Sequence, residues 1–121
     1  MISFRTGNYR FHYRVAAIVV DDGYLLLHRP QGDSFWALPG GRVEAGETGV
    51  DTITRAFREE LGLAVAVTTL ASTGENFFGH EGEPHHEVGL YFNASLALDC
   101  PLRDKSRSHV GVEGNKGLEF R

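Results

Sequence analysis

Glu44, Glu47, Glu59 and Glu60 lie close together in the chain, with Arg55 among them and a Gly40-Gly41 pair just before. A Gly-Gly turn lets a backbone carbonyl approach a ligand, because no side chain blocks it. Carboxylates converging on such a carbonyl make an all-oxygen site, the donor set that hard cations such as Mg²⁺ or Mn²⁺ prefer. Arg55 stands four residues before Glu59 and can pair with it on a helix. At 100° per residue, Glu59, Thr52, Ala56 and Glu60 share an arc about 100° wide. Taken alone, the two adjacent glutamates read more plainly as a solvated acidic helix face carrying one ion pair.

The elements that must position these residues follow from pattern. Thr48 is an N-cap with Asp51 three residues on, in the manner of a capping box, and Gly62 is a natural C-terminal stop. Val50, Ile53, Phe57 and Leu61 recur at helical spacing and give one apolar face. Upstream, Tyr9, Phe11, Tyr13 and Val15 alternate with Arg10, His12 and Arg14, the period of a half-buried strand. That strand runs into Val15–Val20, apolar on both faces as in a central strand. Asp21-Asp22-Gly23 predicts a hairpin turn returning through Tyr24–Leu27, and Phe35–Leu38 a short strand. Residues 65–73 and 87–98 read as strands, residues 75–84 as a loop or irregular hairpin, and residues 99–117 as a mobile loop. Residues 118–120 look like the start of a strand. The order predicts an α+β or α/β layered domain with a mixed sheet, occupying 1–121 as a single unit.

Composition narrows the function classes. The chain has 121 residues, 41% hydrophobic, with a net charge of −4, which disfavours a nonspecific nucleic-acid binder. A single cysteine, Cys100, excludes an internal disulfide and fits a reducing, cytoplasmic compartment. No segment approaches the roughly 20 apolar residues of a membrane span. Of 15 glycines, Gly40, Gly41, Gly46, Gly49 and Gly62 lie in or beside the acidic stretch.

The combined spacing is more specific than any of its parts. Gly41, Glu47, Arg55, Phe57, Glu59, Glu60, Gly62 and Leu63 fall in register with G-x(5)-E-x(7)-R-E-U-x-E-E-x-G-U, where U is a bulky apolar residue, matching eight of its nine specified positions. In this the chain resembles the Nudix hydrolase family, from about Tyr9 to Leu98. The resemblance implies an α/β/α sandwich with a mixed sheet, here lacking the closing C-terminal helix and leaving a sheet face exposed near Phe120. It implies a metal-dependent hydrolase that cleaves the diphosphate linkage of a nucleoside diphosphate joined to another moiety. By the same resemblance, the Gly40 carbonyl, Glu59 and Glu60 hold Mg²⁺ or Mn²⁺, and Glu47, Arg55, Glu59 and Glu60 form the catalytic set. Glu47 and Arg55 would support the loop and orient carboxylates. Homodimers are common in the family and are one expected assembly.

One position departs. The family has glutamate after the arginine; this chain has Ala56. Alanine can neither hold a metal nor orient water, so a feeble enzyme or a nucleotide-binding module is the competing expectation, with Thr52 as a stand-in for positioning water. The general base stays open among Glu81, Glu83, Glu87, Glu113 and Glu119. His80, His85 and His86 could suggest zinc, but the oxygen-rich box favours surface or substrate-contact roles for them. A nucleotide-like substrate needs aromatic faces and cations. Phe35, Phe77, Phe78 and Tyr91 are stacking candidates, with core packing as the plainer role. Arg29, Arg42 and Phe78 are the substrate-binding candidates chosen, with His28 beside Arg29 as a further one. Arg5, Arg10 and Arg14 read as a solvated strand face.

Overall fold

The computed structural model describes residues 1–114 and 116–121, and shows one helix held between two sheets. The first sheet is organised on β2 (Tyr9–Asp21). One edge of β2 pairs in parallel with β7 (Glu83–Leu96), from Arg10↔His85 to Val19↔Ala94. Along its other edge β1 (Ser3–Thr6), β5 (Gly40–Arg42) and β3 (Tyr24–Leu25) pair antiparallel in succession. β6 (Val65–His80) closes the far side against β7. The sheet is thus mixed, as the sequence predicts. The second sheet, β4 (His28–Pro30), β9 (Lys116–Phe120) and β8 (His109–Glu113), is antiparallel throughout.

The alternation in β2 decides which side is core. Val15, Ala17 and Val19 are buried and meet Ile53 and Phe57 of α1 (Gly49–Leu61), while Leu118 and Phe120 of β9 complete the cluster. The helix begins and ends as its sequence dictates. Thr48 Oγ1 accepts from the Asp51 amide at 3.1 Å, Asp51 Oδ2 accepts from the Thr48 amide at 3.2 Å, and Gly62 adopts φ 69°. Among the described residues no helix is long and apolar enough to cross a membrane.

Three local expectations change. Residues 75–84 are not a loop but the distal half of a long β6–β7 hairpin, turning through Glu81 (φ 53°) and Gly82 (φ 75°). Positive φ at both turn residues matches the twist of the flanking strands. Residues 99–117 carry a 3₁₀ turn, Pro101–Arg103, and all of β8, with residue 115 outside the described residues. This polar stretch is tied down because Arg103 donates to the Leu96 and Ala97 carbonyls and to Asp21, while Cys100 and Leu102 plug the core. Phe35–Leu38 forms no strand; only Ala37 bridges, to His28. Phe120 and Leu118 are buried, whereas Val110 and Val112 on β8 are 68% and 52% exposed.

Candidate active site

The loop between β5 and α1 is held by one carboxylate. Glu47 accepts from Arg55 Nε at 2.7 Å and Nη2 at 3.0 Å, from Thr52 Oγ1 at 2.9 Å and from the Glu44 amide at 3.1 Å. The Arg55 fork, with the Glu44 amide and the Thr52 hydroxyl, holds the Glu47 carboxyl down at about 2. Arg55 also donates to the Arg42 carbonyl at 3.1 Å and reaches Glu59 at 3.4 Å. One guanidinium thus locks the strand, the loop and the helix together.

Glu59 and Glu60 are neighbours in chain but not in environment. Glu59 is 62% exposed, whereas Glu60 is only 10% exposed. The Glu60 carboxyl is pushed up to about 8, first by burial and then by Glu113 and Glu59, against the opposing pull of Arg14 and Arg55. His28 Nδ1 lies 3.8 Å from Glu60 Oε1, and the imidazole is pushed down to about 4 by burial and by Arg14. Of the five candidates for an additional carboxylate, Glu113 is the one whose charge helps push Glu60 up. Glu83 pairs with Arg5 and Arg10, Glu87 with His12, Glu119 with Arg29, and Glu81 sits exposed at the hairpin turn.

Glu60 is a nearly buried carboxyl that feels the negative charges of Glu113 and Glu59, and a divalent ion would relieve that repulsion. Among the described residues no three His, Cys, Asp or Glu side chains are gathered so as to hold a metal ion unaided. Mg²⁺ commonly keeps several waters and rests on one or two carboxylates plus substrate oxygens, so a full cage is not required. Gly40 sits at a close backbone crossing: a Cβ there would lie 2.0 Å from the Val15 carbonyl oxygen.

Ala56 is buried at 2%, 3.8 Å from where a Gly41 Cβ would stand. Thr52 cannot stand in for the absent carboxylate. It is fully buried, and its hydroxyl is spent on Glu47 and the Thr48 carbonyl.

The sequence-chosen arginines are placed differently from one another. Arg29 pairs with Glu119, donates to the Asp33 carbonyl at 2.9 Å and stacks on Trp36 at 4.3 Å. Arg42 reaches Met1 Sδ at 3.5 Å and lies beside Arg14 across the β2–β5 pair. Arg14, read from sequence as solvated, instead donates to the Leu38 carbonyl at 2.8 Å and acts on both Glu60 and His28. It also lines a groove of about 770 Å³, together with Trp36, Asn76, Phe78, His80 and Glu87. Phe78 thus joins the groove, as do Phe35 and Phe77. Tyr91 lies beneath, accepting from Asn76 at 3.1 Å.

A family model for the NUDIX domain matches residues 10–111. The chain belongs to the Nudix family. It is similar to an RNA pyrophosphohydrolase of Halorhodospira halophila, 43% identical over 65 residues that cover 52% of this chain and 36% of that protein. It is also similar to a CTP pyrophosphohydrolase of Escherichia coli, 40% identical over 73 residues that cover 57% of this chain and 50% of that protein. A crystal structure of UDP-X diphosphatase matches with a TM-score of 0.64 at 25% identity, over 90% of this chain and 49% of that one. The chain spans half or less of the length of each. The Nudix fold expected from the box, a mixed sheet with its helix, is the fold observed.

Proposed function

We propose that this Nudix domain is a divalent-metal-dependent hydrolase of the diphosphate bridge in a nucleotide-like substrate, such as a nucleoside triphosphate, dinucleotide or nucleotide sugar. The observation that carries this reading is the nearly buried Glu60 carboxyl at the end of the box helix, pushed up by burial and by the charges of Glu113 and Glu59. Glu59, Glu60 and the Gly40 carbonyl would hold Mg²⁺ or Mn²⁺, with Glu113 as an added acidic neighbour. The cation, when bound, neutralises phosphate charge and acidifies water. The chain's own residues do the rest. Arg55 and Glu47 fix the loop that follows β5, the strand carrying Gly40 and Gly41, and Arg14 supplies a positive charge where an anionic substrate meets an acidic protein.

Ala56 supports a second reading, a module that binds nucleotide with little turnover. Its methyl is packed away, and the Thr52 hydroxyl one turn before it is committed to Glu47 and the Thr48 carbonyl. Release of phosphate or pyrophosphate from a nucleotide panel with Mg²⁺ or Mn²⁺ separates the two. We expect metal-dependent release that Glu60→Gln abolishes. No turnover of any nucleotide, with binding intact, would establish the second reading, and a wild-type metal response in Glu60→Gln would remove Glu60 from the metal site.

A further inference from the structure

We infer that Glu87 is a specificity-determining residue, making the groove beside the box a receptor for a planar base whose edge presents N–H donors. This rests on the nucleotide reading above and names the ring end of the same site. The groove, about 770 Å³, is of the size that encloses a small ligand. Its walls are aromatic: Trp36 and Phe35 come from the loop before β5, and Phe78 from the edge strand β6. Arg29 backs the indole of Trp36 without itself lining the groove. Aromatic faces of this kind stack on a flat ring, whatever its edge.

The edge is read by the polar residues that line the same groove. Glu87 is 11% exposed on its side chain, and both its oxygens are fixed in place. Oε1 lies 3.1 Å from His12 Nε2, and Oε2 accepts from Asn76 Nδ2 at 3.1 Å. The same Asn76 amide donates to Tyr91 Oη at 3.1 Å, so Asn76 is held as well. A carboxylate offers about four acceptor sites and no donor. The protein fills two, and those left over accept only N–H or O–H groups. Guanine, adenine and cytosine bring amino groups to such an oxygen. Uracil brings one ring N–H flanked by two carbonyl oxygens, which a fixed carboxylate repels.

Charge sets the orientation of the ligand. Arg14 is the only Lys or Arg among the described residues lining the groove, and its charge reaches Glu60 and His28. The carboxylates lining the groove, Asp33, Glu75 and Glu87, repel a phosphate chain, and Arg14 draws it. The ring therefore lies toward Glu87 and Phe78, and the phosphates toward Arg14.

Trp36 is the only tryptophan in the chain, so its fluorescence reports ring occupancy whether or not turnover occurs. Titration of GTP, ATP, CTP and UTP into the wild-type protein should show UTP binding about 10-fold or more weaker than the best of the others, since a buried polar partner left unmatched discriminates strongly. Glu87→Gln keeps the shape but offers both a donor and an acceptor, and should reduce that ratio to about 3-fold or less. Equal binding of all four nucleotides, preference for UTP, or an unchanged ratio in Glu87→Gln would each overturn the inference. Hydrolysis with no Trp36 response would also overturn it, while leaving the hydrolase reading intact. A Trp36 response with the expected ratio but no hydrolysis would support it while sinking the hydrolase reading.

Discussion

Replacing Glu47 by Gln tests whether one carboxylate holds the box loop in place, because it removes the charge and keeps the shape. The Glu47 carboxyl titrates at about 2 in the folded protein against an ordinary 4.5. Taken in full, that difference is worth ~3.4 kcal/mol at pH 7. The Arg55 side chain is 31% exposed, so solvent screening is taken to remove about half, leaving ~1.7 kcal/mol. A depressed carboxyl stabilises the fold above its unfolded pKa and loses that contribution as pH falls through the folded one. The window therefore runs from 4.5 down to about 2. A halved energy corresponds to a halved displacement, so at pH 3.5 only about one-third remains, or ~0.5 kcal/mol. Urea unfolding of wild type and Glu47→Gln, followed by Trp36 fluorescence at both pH values, measures this directly. A destabilisation below ~0.5 kcal/mol at pH 7 would show that the pair adds nothing beyond an ordinary surface bridge. An equal destabilisation at pH 7 and pH 3.5 would show that the loss comes from packing and not from charge.

Ala56→Glu places a carboxylate at a position only 2% exposed. We expect it to lower stability by ~3 kcal/mol in chelator, to recover on adding Mg²⁺ by more than wild type does, and to raise turnover. Thermal unfolding with and without metal checks this, and a variant that metal fails to rescue would refute the account of Ala56. Gly40→Ala and Gly41→Ala should differ sharply. The first drives a Cβ to 2.0 Å from the Val15 oxygen, whereas the second meets only Ala56 at 3.8 Å. Thermal melts should show Gly40→Ala costing ~3 kcal/mol or more and Gly41→Ala ~1 kcal/mol or less. Similar losses would mean that the crossing does not decide the first position.

What was legible in the chain was what is local to it. Thr48, Asp51 and Gly62 specify the helix through contacts within one turn of its ends, and the partnership of Glu47 with Arg55 is implied by the box resemblance. What was hidden depends on distant partners. Glycines and aromatics at 74–80 resemble loop chemistry, yet Phe77 and Phe78 sit opposite His86 and His85, and only that register makes them a strand. Alternation placed Arg14 on a strand face without saying what lies over it. Arg29 looked available until Glu119, 90 positions away, took its guanidinium. Thr52 looked like a water-positioning group because a helical wheel does not show that Glu47 folds back onto it. The polar stretch at 99–117 gave no sign that Arg103 would anchor it to Leu96, Ala97 and Asp21.

The parallel seam between β2 and β7 also governs when the groove comes into being. Its first partners, Arg10 and His85, are 75 positions apart, and the whole box lies inside that span. The β6–β7 hairpin closes over a two-residue turn, and hairpins form within about 1–10 μs. Joining β2 must wait for a much longer loop to close, at an entropic cost that rises with the logarithm of its length. Arg14 belongs to one strand of the seam and Glu87 to the other. No groove exists until the two strands have zipped, so a nucleotide spanning both residues cannot help the chain to fold. It acts afterwards, as a clasp across a late-formed joint, and its mark is slower unfolding with an unchanged folding rate.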